Sequence, residues 1–216
     1  ADNNTLTKNW ALFGEVSYKF TDKLTGLVGA RTFYADQSDD LNSTHPFGGF
    51  SPPVVTPTLY SHAHKVTPKF YLSYRVTPDA MVYATVSEGF RVGGGNLANV
   101  TPLPPQDNTY QPDSLWSYEA GYKATLLDRR LMVEAAVYDI EWSDIQQTMK
   151  DGVFGFFTNA GKARIRGGEL GLIWLPSAGW RLDGSLSLID AKLRTEAQGL
   201  GGRAGRHPAE RQYRRP

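Results

Sequence analysis

Apolar side chains in this sequence recur at every second position, in segment after segment, and that period admits only extended strands with two chemically different faces. Leu12, Gly14, Val16, Tyr18 and Phe20 alternate with Glu15, Ser17 and Lys19, Phe13 being the exception. The pattern is cleanest where Val66, Pro68, Phe70, Leu72, Tyr74 and Val76 alternate with Lys65, Thr67, Lys69, Tyr71, Ser73 and Arg75. Trp116, Tyr118, Ala120, Tyr122, Ala124 and Leu126 oppose Ser117, Glu119, Lys123 and Thr125; Trp180, Leu182, Leu186 and Leu188 oppose Arg181, Asp183, Ser185 and Ser187. Eight such segments are expected, over roughly 8–20, 23–36, 63–76, 80–92, 113–126, 131–148, 153–175 and 180–193.

Two segments change parity. The apolar face of Leu131, Val133, Ala135 and Val137 moves to Ile140 and Trp142 after Asp139, which predicts a β-bulge there. Lys162, Arg164 and Arg166 would share a face with Leu170 and Leu172 unless Gly167-Gly168 shifts the register, so a second bulge is expected at the glycines.

The connections alternate in length. Thr21-Asp22-Lys23, Thr77-Pro78-Asp79, Leu127-Asp128-Arg129-Arg130 and Pro176-Ser177-Ala178-Gly179 are tight turns by residue type. Gln37 to His62 and Val92 to Pro112 are long and loop-like. In an antiparallel sheet alternate connections lie at opposite ends, so the short turns share one rim, the asymmetry of outer-membrane barrels. No window approaches the run of about 20 apolar residues that a spanning helix needs, and a barrel strand needs none because only alternate residues face lipid. The 23 basic and 22 acidic residues leave no positive surplus for a nucleic-acid surface. With no cysteine, disulfides and thiol chemistry are excluded.

No catalytic, cofactor-binding or metal site is expected, no residue stands out as a ligand contact, and the chain is not expected to be an enzyme. His62 and His64 would share a strand face, as two metal ligands could, but no third ligand is placed beside them; polar residues at a loop base are expected instead. His45 and His207 are isolated. Asp139 and Glu141 would share a face, with Asp144 nearby, as glycosidase carboxylates do; charge lining an aqueous lumen is the simpler expectation. Gly93-Gly94-Gly95 lacks the Lys-Ser/Thr of a phosphate loop and is expected to be a mobile loop base. Lys65, Lys69, Arg75, Glu119, Lys123, Lys162, Arg164, Arg166 and Glu169 are expected in the lumen. Trp116, Tyr118, Tyr122, Trp142, Trp174 and Trp180 are expected on the lipid face or in its aromatic girdles.

Several motifs in one order carry a resemblance. Tyr71-Leu72-Ser73-Tyr74 precedes Thr77-Pro78-Asp79; Glu88-Gly89-Phe90-Arg91, Tyr118-Glu119-Ala120-Gly121-Tyr122-Lys123 and Asn159-Ala160-Gly161 follow, then Gly168-Glu169. From about Ala11 to Leu193 the sequence resembles the barrel of TonB-dependent outer-membrane receptors of the siderophore and iron-complex type. That resemblance implies an all-β, antiparallel transmembrane barrel of about 22 strands with a plugged lumen, in the outer membrane of a Gram-negative bacterium. It also implies outer-membrane lipid, a plug domain, TonB acting through a short TonB box, and a ferric siderophore or similar ligand as partners of the parent, with no nucleic acid and no cofactor. The sequence shows no plug, no such box, too few strands to close the large barrel and no terminal aromatic strand; its start has no secretion signal. The expectation is a partial barrel over residues 1–193, internal to a longer chain. Residues 194–216, rich in Arg, Gly, Ala and Pro, are expected to be irregular, a disordered tail or an out-of-frame ending. The competing readings are a self-contained eight-stranded barrel, structural or adhesive, whose first and eighth strands pair, and a soluble carbohydrate-binding sandwich.

Overall fold

Alternation at period two is realised as eight long strands that hydrogen-bond side by side. The computed structural model describes residues 2–43, 54–55, 58–96, 109–151, 154–159 and 161–194. In chain order the strands are β1 Asp2–Lys19, β2 Leu24–Ser43, β3 Val54–Val55, β4 Leu59–Thr77, β5 Ala80–Arg91, β6 Gly94–Gly95, β7 Thr109–Tyr110, β8 Asp113–Leu126, β9 Leu131–Ser143, β10 Gln146–Asp151, β11 Phe154–Asn159, β12 Lys162–Trp174 and β13 Leu182–Leu193. The main sheet is antiparallel in the order β1-β2-β4-β5-β8-β9-β12-β13, with β3 attached to β2. The short turns β1–β2, β4–β5, β8–β9 and β12–β13 all fall at one end, and β6–β7 and β10–β11 form small hairpins at the other. Among the described residues β1 pairs only with β2 and β13 only with β12, so first and eighth strands do not meet and the sheet is open.

Register makes the two faces explicit. One row of directly paired residues, Tyr18, Gly26, Leu72, Ala84, Ala120, Val137, Gly168 and Leu188, crosses all eight strands and is apolar or small throughout. The opposite face carries Glu15, Lys69, Glu119, Lys123, Glu134 and Glu169.

The sheet is one layer thick. The buried apolar side chains among the described residues are Ala35, Ala63, Ala80, Ala124, Ile145 and Phe156, whereas Val137, Leu186 and Leu188 are 63%, 58% and 67% exposed. A soluble domain does not leave a leucine and valine face of this extent in water; hydrocarbon is the medium that suits it. Among the described residues the other two sheets, β6–β7 and β10–β11, have two strands each, too few to cover this face as the second sheet of a sandwich would.

The apolar band crosses the hydrogen-bonded rows obliquely. Going outward from the short turns, the first charge on the apolar face is Lys8 on β1 but Asp190 on β13. The row of Asp190 runs through Arg166, Asp139, Tyr118, Val86, Phe70 and Val28 to Val16. From Val16 to Lys8 is eight residues, gained over seven strand pairings. At about 3.3 Å per residue and about 4.8 Å between strands, the strands tilt by about 38° from the normal to the band. Outer-membrane barrels have strand tilts of about 35–45°.

Neither expected bulge is present. β9 pairs with β8 from Ser143 to Leu131 without a shift, and β12 pairs through Gly167-Gly168 with both neighbours in unbroken register. Asp139, Glu141, Arg164 and Arg166 therefore do share the face of Val137, Leu170 and Leu172. The sequence changes polarity because the strands outrun the hydrocarbon, beyond which an outward side chain meets head groups and water. The long segments expected over 131–148 and 153–175 are each two strands. Asp144 (φ 55°) and Gly161 (φ 75°) adopt left-handed backbone conformations that turn β10–β11 out of the main sheet. A register shift does occur between Arg75 and Thr77, and the β4–β5 ladder stops at Lys69↔Ser87, next to Pro68, which has no N–H to donate.

Candidate functional site

The polar face and the outer ends of the strands form the functional wall. Its central part is a chain of polar contacts between neighbouring strands. Lys69 Nζ pairs with Glu15 at 2.9 Å across the intervening Gly29, and Tyr83 Oη donates to Glu119 at 2.7 Å. Lys123 lies 5.7 Å from the Tyr83 ring centre and pairs with Glu134 at 3.4 Å, and Tyr71 stacks on Tyr83 with centroids 5.8 Å apart. Gly121 and Gly167 leave room for these rings: a Cβ at Gly121 would meet Tyr83 and one at Gly167 would meet Tyr138, each the paired residue on the next strand.

Nearer the loops, Asp113 organises a second cluster. Its side chain is 1% exposed and accepts from Arg91 Nε, Arg91 Nη2, the Arg91 amide and the Gln146 amide. The Arg91 guanidinium, held along one edge, lies 4.8 Å from the Trp142 ring centre and is half-exposed. Gln146 Nε2 donates to the carbonyls of Val92 and Gln111, and Asn159 Nδ2 donates to those of Gln111 and Asp144. The Asn96 side chain bonds both ways to Phe157, its Nδ2 to the carbonyl and its Oδ1 from the amide at 2.7 Å. Asp39, 3% exposed, accepts from Thr5 Oγ1 at 2.8 Å, from Gln37 and from the Gly95 amide at 3.1 Å. Burial, then the Asp39 charge, raise the Tyr110 phenol above its ordinary pKa, so it stays protonated where it packs on Phe157 at 5.2 Å. Three outer segments are thus fastened to one another and to the wall.

The sequence expectations distribute as follows. Lys65, Lys69, Arg75, Glu119, Lys123 and Glu169 lie on the polar face. Lys162, Arg164 and Arg166 do not: they lie on the apolar face's outward extension, and so do Asp139 and Glu141, because the register is unbroken. Arg164 Nε donates to Asp139 at 2.7 Å and Arg166 Nε at 3.1 Å, an arrangement for mutual neutralisation and not for acid–base chemistry. Trp116, Tyr118, Tyr122 and Trp174 lie on the apolar face, whereas Trp142 is on the polar one beneath Arg91; Trp180 lies in the last short turn, 65% exposed. His62 pairs with Asp36 and His64 with Thr32, and no group of three or more metal-ligating side chains exists among the described residues. His45 and His207 lie outside the described residues. Gly93-Gly94 is not a loose loop base: both residues are buried, and a Cβ on Gly93 would collide with the Tyr110 carbonyl. Sequence reasoning picked out Arg91 within Glu88-Gly89-Phe90-Arg91 but missed its clamp by Asp113, for which the only signal was an acidic residue opening the next strand.

Comparison with known proteins gives the same architecture. The TonB-dependent receptor-like β-barrel family model matches residues 1–209. The metal-pseudopaline receptor CntO of Pseudomonas aeruginosa is 27% identical over 176 residues, covering 81% of this chain and 23% of the relative. The probable TonB-dependent receptor BfrD of Bordetella pertussis is 30% identical over 189 residues, covering 81% and 25%. The crystal structure of the ferric yersiniabactin uptake receptor FyuA from Yersinia pestis superposes with a TM-score of 0.75 at 21% identity, over 90% of this chain and 28% of that one. This chain spans about a quarter of the length of the curated relatives it matches. An open, tilted, one-layer sheet with a greasy outer face, a charged inner face and this match over nearly its whole length leaves one assignment: the chain belongs to the TonB-dependent receptor β-barrel family, whose barrels lie in the Gram-negative outer membrane.

Proposed function

We propose that this chain is a wall segment of a receptor that imports a chelated metal, with a ferric siderophore as the class of cargo, a plug domain in the lumen and TonB as the source of energy. The observation that carries the proposal is the single-layer sheet, apolar on one face and lined with ion pairs on the other, in a chain that matches the family model over residues 1–209. The named cargoes of relatives, metal-pseudopaline for CntO and ferric yersiniabactin for FyuA, support a metal chelate as the class. The family is one of receptors and not of enzymes, so the carboxylates and lysines of the inner face are assigned to lining and docking. The division into a barrel wall over 1–193 and an irregular segment over 194–216 belongs to the same proposal.

Deleting the encoding gene and following radioactive metal uptake from a panel of siderophores under iron restriction tests it. Uptake of at least one chelate should fall to the level of a strain lacking TonB. Unchanged uptake of iron, copper and zinc chelates across the panel would overturn the assignment.

A further inference from the structure

Three cations converge at the short-turn end of the inner face. Arg75, Met81, Lys123 and Glu134 form one directly paired row across β4, β5, β8 and β9. Together with the β4–β5 and β8–β9 turns this row lines a cavity of about 610 Å³, and Arg129 of the second turn belongs to the lining. The short turns of outer-membrane barrels face the periplasm, so the cavity lies at the periplasmic mouth, at the opposite end of the strands from Asp113 and the Asn96–Phe157 contact.

The turn that carries Arg129 is built at a conformational cost. Leu127, Asp128 and Arg129 have left-handed φ values of 52°, 53° and 65°. The Arg130 amide donates to the Leu127 carbonyl at 3.1 Å, which closes a type I′ turn with Asp128 and Arg129 at its centre. Glycine takes the second central position of such a turn without strain, and other side chains do not. The β12–β13 turn meets the same demand with Gly179, φ 83°. An arginine held where glycine is favoured points to a side chain kept for its charge, and strain of this kind gathers at binding sites.

The charges around the cavity are not spent on one another. Lys123 pairs with Glu134 at 3.4 Å. The Arg75 and Arg129 side chains have no ion pair or hydrogen bond among the described residues, and both residues are exposed. Two guanidinium groups thus offer planar forks to oxygen anions, while Met81 and Met132 supply adaptable apolar surface in the same lining. A cavity of this volume suits a whole small molecule and not a single side chain. An organic anion with an apolar body meets both kinds of lining.

We infer that the short-turn ends of β4, β5, β8 and β9 form a site for an anionic metal chelate at the periplasmic mouth, with Arg75 and Arg129 gripping its oxygens and Met81 and Met132 against its organic body. The inference rests on the reading of the chain as part of a chelate importer, and it adds the charge of the cargo and a place where it is held beyond the loop end.

Equilibrium dialysis of the purified chain in detergent micelles tests it, with radioiron-labelled ferric enterobactin, an anionic catecholate chelate, and ferrichrome, a neutral hydroxamate chelate, as probes. The wild-type chain should bind ferric enterobactin at least about tenfold more tightly than ferrichrome. R75Q/R129Q should lose about tenfold toward the anionic chelate, while K8Q/K192Q, an equal change of charge on the opposite face, should match wild type. R129G places glycine at the left-handed position and relieves the turn, so its expected loss of about threefold would not come from misfolding. D79N, which removes a carboxylate from the lining, should tighten binding. Equal binding of the two chelates, wild-type affinity in R75Q/R129Q and R129G, or an equal loss in K8Q/K192Q would each overturn the site. Any of these would leave the importer reading standing, because that reading is decided by uptake in the gene deletion.

Discussion

Glycine and aspartate set the closest contacts in this sheet. At Gly167 an added Cβ would meet the Tyr138 ring on one side and the Leu188 carbonyl, 2.7 Å away, on the other. The carbonyl belongs to the β13 backbone and cannot rotate aside, so Gly167→Val is expected to destabilise by about 1–3 kcal/mol through overpacking, read as the guanidinium midpoint in detergent. Gly168→Ala, whose Cβ meets nothing nearer than the Ala136 carbonyl at 3.5 Å, should be far milder. Asp113 is the second such point. Asp113→Ala leaves the amides of Arg91 and Gln146 and the Arg91 guanidinium without their acceptor, an expected cost of about 2–4 kcal/mol. It should also speed proteinase K cleavage near Val92 and Gln111, because Gln146 holds the carbonyls of both; unchanged cleavage there would mean the clamp does not restrain them.

At the scale of the strand, what matters is which medium each side chain enters. Leu186 on β13 sits in the middle of the apolar band, and Ser187 next to it points to the lumen. Leu186→Arg is expected to cost about 2–4 kcal/mol of folding free energy in a bilayer, and Ser187→Arg close to nothing, since the aqueous face accepts a charge. Equal costs at the two positions would invert the assignment of faces. Much of this was legible in the sequence: alternation placed Lys69 opposite Phe70 and Glu119 opposite Tyr118 before any register was known. Arg164 and Arg166 were misplaced for a physical reason. Alternation reports only that two faces differ, and where a strand leaves the hydrocarbon the outward face becomes polar too, which mimics a change of register.

For the whole molecule, the decisive feature is the open sheet. The outer edges of β1 and β13 carry amides and carbonyls without strand partners among the described residues, and such groups are costly in lipid. The polypeptide purified by itself is therefore expected to give no regular single-channel steps in planar bilayers; uniform, reproducible conductance steps would show that it closes alone or with copies of itself.

The sequence by itself determined the turn-proximal parts of the eight long strands, where the tight turns at Thr21 and Thr77 fall, and that one side is greasy, because a period of two and turn chemistry are local and need no partner. Tertiary structure alone decided the tilt of the strands, the depth at which Asp139, Arg166 and Asp190 emerge, and the fastening of Asn96 to Phe157 and Arg91 to Asp113. Those depend on residues distant in the chain, whose alignment is set by cross-strand hydrogen bonding against a membrane of fixed thickness.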